Sequence, residues 1–346
     1  DPPTIDGAGF DKKTELAAHS LVDYGINGGV VPEWNPEELF SRPIFALGEI
    51  FLADSTGNMG IERDLFETAL RLAKNHDLPA TVHAEDATYF DESVRSSRED
   101  AAAWSAYRAP KAEAVAIATA VEVAAEQGAQ VHIAHATTPE GIDQATASGA
   151  SVEVTPHHLF CSTEDLDRLG TFGRMNPPLR DEQRRLAVFD RVADGTVDMI
   201  ASDHAPHTRD EKDASIWDAP SGVPGVETTL PLLLAEAREG RLTYERVRDL
   251  TARNPAEVFG LPRKGRIAEG MDADLVLIDP EATREIRGAD LHGKTDWTPF
   301  EGMTGVFPEL TMVRGAVVWE AQDVASGPDG EFGDHVGTNV RIEHTV

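Results

Sequence analysis

The segment Ile200-Ala201-Ser202-Asp203-His204-Ala205-Pro206-His207 decides the predicted fold. The apolar residues 197–201 that lead into it are typical of a short buried strand, and Pro206 prevents that strand from continuing. A strand that delivers an acid and histidines just past its carboxyl end is typical of the active site of a parallel α/β barrel. Asp203 is therefore our candidate for a metal ligand and a general base. The alternative is that Asp203 caps the following turn and that both histidines lie on the surface.

The same pattern recurs earlier in the chain. Apolar runs end in His83, in His135 and in His157-His158, and they alternate with segments that predict helices over 62–76, 110–127, 139–148 and 184–194. Helices are also predicted over 11–24 and 243–258, a short strand at Val30-Val31 and a turn at 55–58. His132 is expected only to pack. Alternating strands and helices favour a parallel sheet with right-handed crossovers. Because metal-capable residues fall at successive strand ends, the sequence predicts the α/β class and a (β/α)₈ barrel of the TIM type.

The pattern changes after residue 261. Residues 265–279 predict a turn and then a strand, and residues 311–313 and 316–319 predict a hairpin around Arg314-Gly315. We therefore predict three parts: a barrel over 1–261, a small β-rich domain over 262–320 and an acidic, flexible tail over 321–346.

Length and composition limit the class of protein. The 346 residues suffice for one large domain with a small one, and a hydrophobic content of 40% supports a sizeable core. No apolar run approaches the roughly 20 residues of a membrane span, and no signal-peptide pattern opens the chain. Cys161 is the only cysteine, which excludes a disulfide framework. We expect a cytoplasmic protein.

The charge is strongly negative. Asp and Glu number 61 against 31 Lys and Arg, and the formal net charge is −30. An acidic, lysine-poor surface suits multimolar salt, in which the Debye length shrinks to about 3 Å at 1 M. We interpret the chain as a halophile's protein, and an ordinary acidic protein is the alternative. The negative charge argues against nucleic acids and anionic membranes as partners.

His83, His135 and Asp203 form a candidate metal site. Imidazole and carboxylate groups suit Zn²⁺ or another first-row divalent metal. Each histidine alone is more often a core or loop residue, but three such strand ends together favour a metal site. The site implies hydrolysis, because a metal lowers the pKa of bound water to about 7 and a carboxylate can accept its proton. The sequence contains no Walker loop, nucleophile elbow or GxGxxG motif.

Glu49 is a further candidate, because it lies within the apolar run 46–53. A charge inside a buried strand is costly unless it is paired or bound to a metal. The alternative is an edge strand on which Glu49 faces water.

Five motifs resemble those of the cyclic amidohydrolases, and most closely the dihydroorotases, whose relatives include allantoinases and hydantoinases. They follow one another over nearly the whole chain and comprise residues 82–86, 132–137, 176–180, 202–207 and 222–228. The resemblance implies a metal-dependent (β/α)₈ hydrolase of pyrimidine synthesis. It would interconvert dihydroorotate and N-carbamoyl-L-aspartate by opening or closing one ring amide.

The resemblance also implies roles for single residues. His83 and His135 would be metal ligands, and Asp203 would be both a ligand and the base. Asn176, His207 and the backbone near Gly222 would contact the substrate. The cofactor would be one or two Zn²⁺ ions, or another divalent metal, and a homodimer or a contact with another pyrimidine enzyme is expected by the same resemblance.

Two features depart from the family pattern. Glu49 stands where many relatives carry a lysine whose carbamate bridges two metals. Three alternatives follow: Glu49 ligates directly, Asp54 ligates instead, or only one metal binds tightly. The His-x-His-x-Arg motif of the first barrel strand and the asparagine of the next strand are absent, and residues 1–4 resemble the segment just after that asparagine. We therefore expect a chain that lacks its first strands and half of the β-domain, with an incomplete metal site.

Two other functions remain open from the sequence. One is an allantoinase or hydantoinase type of cyclic amidase. The other is a non-catalytic, dihydroorotase-like scaffold for another pyrimidine enzyme, which Glu49 and the absent His-x-His motif favour.

Overall fold

The structure is a computed structural model, and it describes residues 3–55, 59–322 and 328–342. Five parallel strands form one sheet in chain order, with each strand beside the next. They are β1 (Leu47–Phe51), β2 (Ala80–His83), β3 (Val131–Ile133), β4 (Ser151–Val154) and β5 (Met199–Ile200). The strands carry apolar side chains into the core, where Leu47, Val82, Val152 and Val154 are fully buried. Because the strands are parallel, their carboxyl ends meet on one side of the sheet.

Helices alternate with these strands, as predicted. They are α1 (Gly7–Ala17), α2 (Pro36–Phe40), α3 (Arg63–Asn75), α4 (Glu92–Ser97), α5 (Ala103–Tyr107), α6 (Pro110–Gln127), α7 (Pro139–Ala147), α8 (Pro156–Phe160), α9 (Leu166–Leu169), α10 (Glu182–Asp194), α11 (Arg209–Lys212), α12 (Thr229–Arg238), α13 (Tyr244–Arg248) and α14 (Asn254–Val258). The alternation confirms the α/β barrel class. Among the described residues, no helix combines the length and apolar character needed to cross a bilayer.

Three local predictions differ from the structure. The single helix predicted over 243–258 is α13, a π-helical turn at Asp249–Arg253 and α14. Pro255 explains the break, because its nitrogen cannot donate the next helical hydrogen bond. The strand predicted at Val30-Val31 is reduced to one bridge between Gly28 and Leu47. The first helix begins before residue 11, because the side chain of Asp6 caps it by accepting from the backbone of Gly9 at 2.7 Å.

A second, antiparallel sheet follows, with its strands in the order β6-β7-β8-β9. They are β6 (Leu275–Glu285), β7 (Thr304–Val313), β8 (Ala316–Ala321) and β9 (Gly330–Phe332). The hairpin predicted around Arg314-Gly315 is confirmed, and both turn residues have positive φ. Ile286, Phe300 and Phe307 join a buried apolar cluster with Met175 and Leu232 of the preceding chain. The boundary at residues 261 and 262 stays a prediction.

The predicted tail is partly described. Within it, β9 pairs with β8 through Trp319 and Phe332, and Asn339 bridges to Tyr24. The flexibility of the tail stays a prediction. A short strand such as β9 can satisfy the backbone groups at the edge of β8 whatever its composition. Residues 323–327 and 343–346 lie outside the described residues, as do residues 1 and 2 and residues 56–58 of a turn expected at 55–58.

A buried carboxylate, Asp23, joins four distant segments. It accepts from Lys264 Nζ at 2.7 Å and from the backbone and hydroxyl of Thr338 at 2.9 and 3.0 Å, and it pairs with Arg314. Its side chain is 8% exposed. Burial alone would raise the pKa of Asp23, but Arg314, Lys264 and Thr338 outweigh burial and hold the pKa well below its ordinary value. We call this contact the Asp23 junction.

Replacing Asp23 should destabilise the fold. We expect Asp23→Ala to lower the free energy of unfolding by about 3 kcal/mol, because it removes the buried carboxylate that Lys264 and Arg314 share. The wild-type contribution should be present above the ordinary carboxyl pKa and should disappear as the pH falls, since the folded pKa is depressed. Urea unfolding at pH 7 and at pH 3 measures both effects.

The exposed pair Asp11–Arg42, at 2.8 Å, provides the control. Asp11→Ala should leave the urea midpoint close to that of the wild type, because exposed ion pairs contribute little to stability. Equal losses for the two variants would contradict the special role of the Asp23 junction.

Candidate metal and active site

The predicted ligands lie where the parallel strands end. Glu49 is in β1, His83 is the last residue of β2, and His135 follows β3 by two residues. Strand β1 is bonded to β2 on one side and bridged to Gly28 on the other, so Glu49 is not on an open edge facing water. The structure therefore favours an inward role for Glu49.

Three side chains converge on one point. Glu49 Oε1 lies 2.6 Å from His135 Nε2 and 3.7 Å from His83 Nδ1, and the two imidazole nitrogens are 3.1 Å apart. Both histidines are buried, at 1% and 3% exposure. Glu49 Oε1 is buried and makes no contact with hydrogen-bond geometry. One oxygen and two imidazole nitrogens around a common centre are a donor set that fits Zn²⁺ or another first-row divalent ion.

The electrostatics of this group fit a cation. Burial alone would lower the pKa of His135, but the adjacent Glu49 carboxylate outweighs burial and raises it to about 10. Burial would likewise raise the pKa of Glu49, yet His135 and His83 hold it well below its ordinary value. A proton on His135 therefore provides the positive charge that a metal ion can replace.

A buried ion pair orients His83. Its second nitrogen, Nε2, lies 2.9 Å from Glu85 Oε2, and Glu85 binds the guanidinium of Arg108 with its closest contact at 2.5 Å. Burial alone would raise the pKa of Glu85, but Arg108 and His83 keep it well below its ordinary value. An ionised Glu85 fixes the tautomer with the proton on Nε2, so that Nδ1 presents its lone pair to the shared point.

Asp203 lies beside this group and not within it. It follows β5 by three residues, and its side chain is 33% exposed. Burial raises the pKa of Asp203 to about 6, and the charges of His135 and Glu49 act on it in opposite directions. His135 and Asp203 both adopt left-handed backbone conformations, with φ of 36° and 42°. Such strained non-glycine residues cluster at functional sites, and here each lies just beyond a strand end.

Asp54, the alternative to Glu49, points elsewhere. Its Oδ1 accepts from the backbone of Gly60 at 2.8 Å in an exposed loop. This is an ordinary turn contact, and Asp54 does not join the group of Glu49, His83 and His135. Of the two candidates, the structure brings only Glu49 to the histidines.

Each predicted substrate contact is held by hydrogen bonds to another segment of the chain. Asn176 accepts from Trp104 Nε1 at 3.0 Å and donates to Ser55. His207 Nε2 donates to Ser221 O at 3.2 Å, and its side chain is 29% exposed. Gly222 has a φ of +127° and donates its own N–H to Arg174 O at 3.0 Å.

The loop at Gly222 tolerates no side chain. A Cβ at this position would lie 2.6 Å from atoms of Ala205. His204 supports the same loop, because its Nδ1 accepts from the backbone N–H groups of Gly225 and Val226 at 3.1 and 3.3 Å. His204 is thus an exposed residue that anchors this loop.

Sequence reasoning missed several buried partners. Glu85 could have been noticed, because it follows His83 by two residues, but its partner Arg108 carries no local signal. His132, expected to pack only, also bonds Ser151 Oγ at 2.8 Å and Glu153 Oε2 at 3.0 Å. His157, noted from the sequence only as a strand-end residue, lies 3.9 Å from Asp203.

Comparison with known proteins identifies related chains. Residues 55–318 match the model of the amidohydrolase family. A dihydroorotase of Halobacterium salinarum is 62% identical over 95% of this chain and 78% of its own length. A dihydroorotase of Methanosarcina mazei is 42% identical over 96% of this chain and 76% of its own length.

A solved structure has the same fold. The L-hydantoinase from Arthrobacter aurescens superposes with a TM-score of 0.89 at 26% identity, over 98% of this chain and 78% of that chain. Its likeness supports the barrel with a second, β-rich part.

Replacing Glu49 should weaken metal binding. We expect Glu49→Ala to reduce zinc affinity by at least about 100-fold, because even partners behind the direct ligands contribute 10–100-fold. Zinc content after dialysis and calorimetric titration of the purified protein measure this loss. Asp54→Ala is the control and should retain the wild-type zinc content. The reverse pattern, with zinc lost only from Asp54→Ala, would contradict the assignment of Glu49.

Proposed function

Because the chain belongs to the amidohydrolase family, we propose that it is a hydrolase that catalyses the dihydroorotase reaction. This is the reversible interconversion of dihydroorotate and N-carbamoyl-L-aspartate in pyrimidine synthesis. The proposal draws its substrate from the dihydroorotases that are 62% and 42% identical to this chain.

One observation of the site carries the proposal. Glu49, His83 and His135 direct three donor atoms to one buried point, with Asp203 beside them. A non-catalytic scaffold has no need to bury two imidazoles and a carboxylate against each other, since burying such groups is costly. We therefore favour an enzyme over the scaffold hypothesis.

We assign the metal to these three residues and propose Zn²⁺ as its identity. When bound, such an ion supplies Lewis-acid chemistry, which lowers the pKa of water at the site and polarises an amide carbonyl. Asp203 is proposed as a further ligand and as the base that accepts a proton from the attacking water. In ring opening it then returns that proton to the amide nitrogen that leaves. In ring closure the same carboxylate accepts the proton from the carbamoyl nitrogen as the C–N bond forms, and it passes that proton to the hydroxyl that leaves the carbon as water.

His207 and Asn176 are proposed to orient the substrate, together with the backbone near Gly222. Because Nε2 of His207 already donates to Ser221, a neutral His207 presents a lone pair at Nδ1. A cationic His207 offers a second N–H, and this form would bind the substrate carboxylate. The exposed fraction of the side chain, 29%, leaves it accessible to a ligand.

Several properties remain predictions from the sequence. They are a halophilic source, a cytoplasmic location, the number of metal ions, a homodimer and contact with another pyrimidine enzyme. Hydantoinase activity is the second candidate function, and the fold shared with the Arthrobacter aurescens L-hydantoinase favours testing it.

A substrate panel tests the proposed function. We expect the zinc-loaded protein to cyclise N-carbamoyl-L-aspartate and to hydrolyse dihydroorotate, with activity on hydantoin and allantoin lower by at least about 100-fold. Asp203→Asn should lower kcat by about 10²–10⁴-fold, because it removes the proton acceptor. Ring opening and closure are followed by ultraviolet absorbance.

The controls separate the competing functions. Asp54→Ala should retain wild-type kcat. Preferential turnover of hydantoin or allantoin would favour the second candidate function over the dihydroorotase reaction. A protein that binds no metal at a stoichiometric level would support the scaffold hypothesis.

A further inference from the structure

His157 is a buried side chain whose hydrogen bonding is incomplete. It is 0% exposed, and neither Nδ1 nor Nε2 has a hydrogen-bond partner. The adjacent His158 is almost as buried, but its Nδ1 lies 2.7 Å from Thr155 Oγ1 and its Nε2 lies 2.9 Å from Pro177 O. The two neighbouring histidines therefore differ in hydrogen bonding. Natural proteins satisfy nearly all buried polar groups, so the unpaired ring of His157 calls for an explanation.

The ring of His157 faces Asp203. Its Nε2 lies 3.9 Å from Asp203 Oδ2. A hydrogen bond between these atoms requires an approach of less than about 1 Å, given the usual N–H···O range of 2.7–3.2 Å. Asp203 is at a loop and is 33% exposed, so its carboxylate has room to move. Hydrogen bonds of this kind are often long in free enzymes and shorten when substrate binds.

The position of His157 is fixed by its own helix start. Thr155 caps α8 by accepting from the backbone of His158, and Pro156 occupies the first helical position. The rings of His157 and His158 make an edge contact with centroids 4.3 Å apart. Because His158 is bonded at both nitrogens, it holds the imidazole of His157 toward Asp203.

A neutral imidazole carries one N–H donor and one lone pair. The ring of His157 is fully buried and has no hydrogen-bond partner, and burial disfavours the charged form of an imidazole. We therefore treat the ring as a neutral donor. Placed at a carboxylate, a neutral donor orients it and leaves its charge unchanged.

We propose that Nε2–H of His157 donates to Oδ2 of Asp203 and positions that carboxylate for proton transfer. His157 is a positioning residue in this scheme, because it acts through Asp203. The inference rests on the proposed function, which assigns Asp203 as the base. It also accounts for a fully buried imidazole that no other described group satisfies.

Three substitutions at His157 test the role. His157→Gln keeps an amide N–H close to the place of Nε2, His157→Asn reaches only as far as Nδ1, and His157→Leu removes the donor. We expect His157→Leu and His157→Asn to lower kcat by about 10–100-fold, the usual effect of partners that orient a site. KM should stay within about threefold. His157→Gln should recover kcat to within about fivefold of wild type.

A matched control measures simple damage to the helix. Leu159 is fully buried in α8 and has no place in the site. Leu159→Ala should lower the melting temperature by at least as much as His157→Leu and leave kcat unchanged. Zinc content should be wild-type in all His157 variants.

The outcomes separate this inference from the proposed function. Wild-type kcat in His157→Leu, a Gln variant as slow as the Leu variant, or loss of zinc together with kcat would each overturn the positioning role. A readout without substrate is the melting temperature of His157→Leu, Asp203→Ala and the double variant. The shifts should not add if the two side chains interact, and additive shifts would overturn the contact. A wild-type protein inactive on dihydroorotate overturns the proposed function, whereas non-additive shifts would still support the contact.

Discussion

The candidate site requires Glu49, His83 and His135 to be held together at a largely buried point. Holding these polar groups there costs free energy. The two imidazole nitrogens are 3.1 Å apart and the Glu49 carboxylate is 2.6 Å from His135, so a shared proton or a metal ion at their centre relieves the repulsion between their lone pairs. Three separate strands must deliver these atoms within fractions of an ångström. The short parallel strands with fully buried apolar side chains provide that precision, because a packed sheet resists small displacements.

A second ring of buried charge keeps the strand ends in place. Glu85 and Arg108 fix His83, while Glu113 accepts from the backbone of Thr137 and Thr138 at 2.7 and 2.8 Å, just beyond His135. Arg180 joins the two regions, since it donates to Arg108 O at 2.6 Å and pairs with Glu113 at 3.3 Å. The loop that carries Arg180 also carries Asn176. One connected network therefore supports both the metal donors and a proposed substrate contact.

The sequence predicted the strand ends well and their partners poorly. His83 and His135 could be found because each ends an apolar run, and that local pattern survives folding. The choice between Glu49 and Asp54 could not be made, because it depends on which way a strand faces. Arg108 and His157 act through contacts that only tertiary structure creates. The part of the predicted tail that pairs with β8 had no hydrophobic signal, since backbone hydrogen bonds to a sheet edge require none.

The Asp23 junction has a consequence for folding during synthesis. Asp23 and Thr338 are separated by 315 positions in the chain, so the contact between them forms only after nearly all of the described chain has been made. Until then, the early segment carries a carboxylate whose native partners are absent, and its final docking waits for the C-terminal strands. Contacts of such long sequence separation slow folding. The segment around Asp23 therefore lacks this contact until residue 338 has been synthesised.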